Sequence, residues 1–131
     1  MKKSKKVLLV LLGVVLLLLF GGKLALNSMV AQVKAIPVST PDLLALANGS
    51  YTGEYTILPV SAEVEVTIQN HRIMAVTILR HDNGLGGAAE RLADEIVFQQ
   101  SLELDSVSGA TVSSKCILKA AEAALTGGMT P

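Results

Sequence analysis

The segment Asp105-Ser106-Val107-Ser108-Gly109-Ala110-Thr111 leads into a helical pattern that runs from Val112 to Leu125. Gly109 lets a ligand approach the backbone closely because it has no Cβ. The first amides of a helix lack intrahelical partners, and the helix dipole adds partial positive charge there, so a phosphate can bind. Thr111 presents a hydroxyl beside that position. On spacing alone, the segment also fits an ordinary turn with a Ser or Thr helix cap, for which Ser108, Thr111, Ser113 and Ser114 all qualify.

The residues before this segment predict a small antiparallel sheet and one further helix. Tyr51 to Ile57 reads as a first strand, and Ala62 to Gln69 alternates strictly between apolar and polar residues, which indicates a strand with one buried face. Ile73 to Leu79 is apolar on both faces except at Thr77, which predicts a central strand with Met74 in the core. A loop follows, and the pattern from Ala88 to Gln99 is helical. The predicted fold class is α+β.

At the Thr111 segment, the chain resembles the FMN-binding domain family. The family's flavinylation motif is Asp, two residues, Ser or Thr, Gly, Ala, Thr, and it is matched here by Asp105, Ser108, Gly109, Ala110 and Thr111. Two weaker features agree: the run Gly49-Ser50-Tyr51-Thr52-Gly53 and the loop in which His81 precedes Gly84-Leu85-Gly86. The resemblance covers residues 49 to 125. Its well-known relatives are the flavoprotein subunits of the NADH:quinone reductase and Rnf complexes.

The resemblance implies that Thr111 holds FMN through a phosphoester bond. A separate Mg-dependent flavin transferase would make that bond from FAD and would recognise Asp105. The other expected flavin contacts are Ser108, Gly109, Ala110 and Val112 around the bond, Leu85 and Gly86 as a wall of the pocket, and His81 as a hydrogen-bonding partner of the ring or phosphate. An exposed His81 and a plain Gly-rich hinge are the structural alternatives for the last three residues.

The N-terminus predicts a membrane segment. Residues 1–6 are basic, and residues 7–26 are apolar enough and long enough to cross a membrane if Lys23 extends to its surface. The cluster of lysines before the span predicts an N-terminus inside and a domain outside. A cleaved signal peptide is the alternative. Residues 27–48 are expected to form a tether with a short helix from Leu43 to Ala47, capped by Thr40, and residues 49–127 form the domain.

The charge distribution and the cysteine content argue against several classes of function. Six lysines and no acidic residue precede residue 40, whereas the rest of the chain has five basic and eleven acidic residues. An acidic domain argues against nucleic-acid binding, which requires a basic face. Cys116 is the only cysteine, so an intramolecular disulfide is impossible, and no Cys or His cluster indicates a zinc or iron–sulfur site. We expect no metal site.

We therefore expect a membrane-anchored, extracytoplasmic flavoprotein that carries electrons and is not an autonomous enzyme. Its expected partners are membrane electron-transfer proteins or a quinone-linked dehydrogenase, with the flavin transferase needed for maturation. Two other classes remain open at this point. One is a subunit of a reductase that binds FMN non-covalently, and the other is an anchored adaptor without a cofactor.

Overall fold

The computed structural model describes residues 2–82 and 86–127, and these divide into two units after Gln32. The first unit lies within helix α1, Lys2–Lys34, whose side chains are exposed throughout the apolar run. Among the described residues, α1 is the one helix long and apolar enough to cross a membrane by length and composition, and a signal sequence meets the same criteria. The predicted apolar span, residues 7–26, lies inside α1, which continues to Lys34.

The second unit contains a three-stranded antiparallel sheet in the order β1-β2-β3, which confirms the predicted α+β fold. The strands are β1, Gly49–Ile57, β2, Val60–Gln69, and β3, Arg72–Asp82. β2 alternates as predicted, because its apolar residues point into the core on one face only. The buried side chains of β2 are Ala62, Val64, Val66 and Ile68.

β3 is an edge strand of the described sheet, so the predicted central position was wrong. The register shifts between β2 and β3 change which β3 residues point inward, and Ile73, Val76 and Ile78 lie opposite the buried face of β2. Met74 is consequently 52% exposed, in contrast to the predicted core position. A run that is apolar on both faces is therefore not sufficient evidence of a central strand. Gln100 covers part of the open edge, because its side-chain amide accepts from the Ile73 nitrogen at 2.8 Å and donates to the Ile73 carbonyl at 2.7 Å.

Two helices cover the inner face of the sheet. A 3₁₀ turn, Gly87–Arg91, leads into α2, Leu92–Gln99, which packs on β3. The predicted helix from Ala88 thus begins as a 3₁₀ turn. Helix α3, Thr111–Gly127, packs on β1 and β2. It can approach β1 closely because Gly53 has no side chain, and a Cβ there would lie 2.3 Å from the Ala120 carbonyl oxygen and from the Ala124 nitrogen.

The segment from Val33 to Ala47, most of the predicted tether, is built into the domain. Val33 is buried, and Val38, Leu43 and Leu46 pack against the core. A 3₁₀ turn, Leu43–Ala45, is capped by the Asp42 carboxylate, which accepts from the Leu44 nitrogen at 3.0 Å. Thr40, the predicted cap, instead accepts from the Leu102 nitrogen at 2.9 Å. Polar groups that are distant in the sequence hold this segment on the domain. The local sequence pattern does not reveal such partners.

Candidate functional site

The segment before α3 forms a tight turn that ends in the helix start. The Ala110 nitrogen donates to the Val107 carbonyl at 2.9 Å, and Gly109 has a φ of +79°, which suits glycine because it lacks a Cβ. The Ser114 nitrogen donates to the Ala110 carbonyl at 2.9 Å and makes the first bond of the helix. The helix therefore starts at Thr111, one residue before the predicted Val112.

Ser114 fastens this turn to the helix from inside the core. Its hydroxyl accepts from the Val107 nitrogen at 2.9 Å and donates to the Ala110 carbonyl at 2.7 Å. The side chain is fully buried, so both bonds are shielded from water. Ser114 therefore fixes the backbone on both sides of Gly109. Its structural role was not predicted, because a serine four residues into a helix pattern carries no signal of its partner.

The four hydroxyl residues of the segment differ in how deeply they are buried. Ser108 is exposed, Thr111 is half-buried, and Ser113 and Ser114 are buried, at 2% and 0% exposure. Within residues 2–82 and 86–127, the Thr111 hydroxyl takes part in no hydrogen bond. Thr111 is therefore the hydroxyl at the helix start that is both accessible and not committed to a structural bond.

The first amides of α3 are not capped by a side chain. In the described part of the chain, no hydroxyl or carboxylate accepts a hydrogen bond from the backbone nitrogens of Thr111, Val112 or Ser113. The residue before the helix is Ala110, a poor cap, so the ordinary Ser or Thr cap left open by the sequence is not formed. These three amides give the helix start donors and partial positive charge.

Asp105 is exposed and lies between two clefts. The first, of about 290 Å³, is lined by Lys34, Leu104, Asp105, Ser106 and Lys115, and we call it the lysine cleft. The second, of about 540 Å³, is the acidic cleft, lined by Arg91, Leu92, Asp94, Glu95, Leu104, Asp105 and Val107. Lys34 and Lys115 were not among the predicted site residues. Lys115 had a detectable signal, since it lies four residues after Thr111 and so on the same helix face.

The predicted flavin contacts His81 and Gly86 lie at the end of β3 and shortly after it. His81 is part of β3 and faces the core, and its side chain is only 2% exposed. The alternative of an exposed loop histidine is therefore wrong. Its Nδ1 lies 3.1 Å from the Glu90 Oε1 atom. Gly86 is buried and precedes the 3₁₀ turn Gly87–Arg91, which packs against α3. Leu85 lies outside the described residues.

The structure thus brings together the consecutive residues from Ser108 to Val112 at one helix start, with Asp105 at the edge of the adjoining clefts. His81 and Gly86 belong to the neighbouring end of the sheet, because Asp82 pairs with Ser61 near the β1–β2 turn. The Cys116 sulfur lies 3.6 Å from the Val60 carbonyl, which places the beginning of α3 at that same end. Among the described residues, no group of three or more His, Cys, Asp or Glu side chains converges on a metal position.

A comparison with protein-family models matches residues 60–126 to the FMN-binding domain. The match covers just over half of the chain and includes β2, β3, α2, the Thr111 turn and nearly all of α3. No curated protein and no solved structure matches the chain.

Proposed function

The chain belongs to the FMN-binding domain family, and from this premise we propose that it carries FMN covalently on Thr111 and transfers electrons outside a membrane to which α1 anchors it. FMN binding follows from the family. The covalent bond, the electron-carrier role and the anchored location are the parts that we propose.

The state of the Thr111 hydroxyl supports the covalent bond best. It is partly accessible and uncommitted, whereas Ser113 and Ser114 are buried and Ser114 is committed to two hydrogen bonds. The uncapped amides of Thr111, Val112 and Ser113 provide donors for a phosphate at the same position. The residues therefore fit a phosphoester at the helix start, where the acceptor oxygen and the anion-binding groups lie within one helical turn.

The attachment step transfers the FMN phosphoryl group from FAD to the Thr111 hydroxyl. The Thr111 oxygen forms a bond to the phosphorus on the FMN side of FAD, the bridging P–O bond breaks, AMP leaves, and the hydroxyl proton is lost to solvent or to the transferase. The product is a phosphodiester with about one negative charge, which the helix start stabilises by roughly 0.3–1 kcal/mol. Gly109 is exposed and a Cβ there would meet nothing within 4 Å, so an enzyme has room to approach.

A cleft lined by Asp105 and Val107, in the segment before Thr111, has the volume of a small-molecule site. The acidic cleft, of about 540 Å³, falls within the range of roughly 300–1,000 Å³ for small-molecule sites. When bound, FMN supplies reversible electron transfer, and the protein positions it and adjusts its potential. A covalent bond suits this location, since FMN that dissociates outside a cell is lost by dilution. We propose membrane electron-transfer proteins or a quinone-linked dehydrogenase as partners, with a flavin transferase for maturation.

We predict that Thr111→Val abolishes the covalent flavin without unfolding the domain. Valine is nearly isosteric with threonine and removes only the nucleophilic oxygen, which makes no structural hydrogen bond. The measurement is co-expression of the full chain with a flavin transferase, followed by acid precipitation, gel fluorescence and intact mass. The wild type should gain the mass of one FMN less one water, and Thr111→Val should gain nothing.

Ser113→Ala is the matched control, because it removes a hydroxyl that lies two residues away and outside the motif, and it should keep the flavin. Flavin that remains on Thr111→Val, or that maps to another residue, contradicts the assignment. Colour that is lost from the wild type on acid precipitation identifies a non-covalent flavoprotein instead. A wild type that purifies colourless despite the transferase identifies a cofactor-free adaptor.

A further inference from the structure

The lysine cleft combines residues from three distant parts of the chain. Lys34 ends α1, Leu104, Asp105 and Ser106 belong to the segment before α3, and Lys115 lies on α3. Lys115 is held in place, since its Nζ donates to the Ile36 carbonyl at 2.9 Å. An ammonium group has three donors, so two remain for a ligand in the cleft. The Ser106 hydroxyl supplies another donor.

Lys115, which lines the cleft, lies on the same face of α3 as Thr111. Residues four apart on a helix have Cβ atoms about 5–6 Å apart, and a long side chain covers the turn before its own Cα. Lys115 is four residues after Thr111, so its side chain covers the helical turn that Thr111 begins. Of the residues that line the cleft, Lys115 is thus the one on the helix face of the half-buried Thr111 hydroxyl.

The charge of the cleft complements a phosphodiester. Two ammonium groups and one carboxylate line it, which leaves one positive charge in excess. A phosphodiester on Thr111 carries about one negative charge, and charge-assisted hydrogen bonds to phosphate are roughly twice as strong as neutral ones. The excess is supplied by Lys34, because Lys115 and Asp105 offset each other and the residues from 40 onward contain five basic and eleven acidic side chains.

We propose that the lysine cleft is the phosphate subsite of the flavin, in which Lys115 and Lys34 hold the Thr111-linked phosphate and Ser106 completes its hydrogen bonding. The inference rests on the proposed function and adds residues that the motif does not contain. It also assigns a function to the segment from Val33 to Ala47, because the Lys115–Ile36 hydrogen bond joins this segment to the side chain that binds the phosphate.

The test uses flavinylated full-length protein in detergent and the ³¹P resonance of its phosphodiester. Lys34→Gln and Lys115→Gln should each shift this resonance, and each should slow flavin attachment. We expect about tenfold for Lys115, equivalent to one charge-assisted hydrogen bond, and roughly two- to fivefold for the exposed Lys34. Lys115→Arg, which keeps the charge and donors, should restore most of the rate. Arg72→Gln is the matched control, since it removes one exposed positive charge at the opposite end of β3.

The outcomes separate this inference from the function on which it rests. A wild type without covalent flavin overturns both. A flavinylated wild type whose ³¹P resonance is the same in both lysine variants overturns the phosphate subsite alone. If the variants instead change only the ³¹P signal of added phosphatidylglycerol, the lysines face lipid phosphate and the subsite is again overturned. Lys34→Gln keeps the test valid if Lys115→Gln loosens the domain, because Lys34 is exposed.

Discussion

At the scale of single residues, neighbouring hydroxyl groups in the same short segment have different roles because their surroundings differ. Thr111 is half-buried and uncommitted, Ser113 is in the core, and Ser114 holds the Val107–Ala110 turn from inside. Breaking the hydrogen bond between a buried hydroxyl and a backbone donor costs free energy, because the donor is left without an acceptor. Of these three hydroxyl groups, only that of Thr111 is therefore accessible and available for the attachment that we propose.

We predict that Ser114→Ala destabilises the domain by about 1–3 kcal/mol, because it leaves the buried Val107 nitrogen without its acceptor. Ser113→Ala is the matched control. Ser113 is equally buried, but its hydroxyl takes part in no hydrogen bond of the described residues, so its replacement should cost much less. Urea unfolding of the two variants measures the difference. Equal losses of unfolding free energy would show that the Ser114 hydrogen bonds do not fix the turn.

Cys116 gives a second prediction at this scale. Burial raises the pKa of the Cys116 thiol above its ordinary value of 9.0, and a backbone hydrogen bond at Ile57 offsets this only in part. The folded domain therefore keeps the proton while the unfolded chain loses it. The unfolding free energy should be constant below about pH 9 and then fall as pH rises toward the folded-state pKa, by at most about 1.4 kcal/mol per pH unit.

Unfolding of Cys116→Ala against pH checks this linkage. The variant should be less stable than the wild type at neutral pH because it creates a small cavity, and its unfolding free energy should fall less steeply above pH 9. The same alkaline slope in both proteins would mean that another group is responsible.

At the scale of secondary-structure elements, α3 connects the core to the candidate site. Its inner face carries small residues, and Ala120 and Ala124 lie directly against β1 at Gly53. Its outer face carries Lys115, Lys119 and Glu122, which hold the segment from Ile36 to Ser39 through hydrogen bonds of 2.9, 3.3 and 3.1 Å. The position of Thr111 therefore depends on contacts along both faces of the helix.

We predict that Gly53→Ala severely destabilises the domain, by more than about 3 kcal/mol. The new Cβ would lie 2.3 Å from backbone atoms of Ala120 and Ala124, and backbone cannot yield as a flexible side chain can. Gly87→Ala is the control, because a Cβ at Gly87 meets nothing within 4 Å. Thermal unfolding compares the two. A Gly53→Ala protein with a wild-type melting temperature would show that α3 and β1 are farther apart than described.

At the scale of the whole molecule, the domain includes more of the chain than the tether prediction assigned to it. The second unit begins at Val33, and the segment from Val33 to Ala47 contributes apolar side chains to the core and the Ile36 carbonyl that accepts from Lys115. The Tyr51 hydroxyl also donates to the Ala47 carbonyl at 2.6 Å. Removal of residues before Gly49 would therefore take away part of the folded domain as well as the linker.

The proposed membrane orientation is tested by labelling. Lysines precede the apolar run of α1, so we predict an N-terminus inside and the domain outside. Leu44→Cys places a thiol at a 75% exposed position, and the native Cys116 is fully buried and should not react. An impermeant maleimide should label Leu44→Cys on intact cells, with the wild type as the control. Labelling of Leu44→Cys only after lysis would contradict the predicted orientation.

The sequence alone determined the features that depend on local pattern. Strict alternation predicted β2 and its buried face, and the apolar run predicted a helix able to span a membrane. The resemblance of the segment from Asp105 to Thr111 to a known motif indicated the family that the family comparison confirms. Each of these signals is contained in a short stretch of residues, so it does not require knowledge of distant neighbours.

Only the tertiary structure decided the features that depend on distant partners. It placed β3 at the edge of the described sheet and set, through the register with β2, which β3 side chains point inward. It also buried the His81 side chain on the core side of β3 and placed Ser114 behind the turn. It also docked the Ile36–Thr40 segment on α3 and on residues 101–103, more than 60 positions away along the chain. Side-chain burial and long-range hydrogen bonds are set by which elements pack together, and no local pattern specifies that.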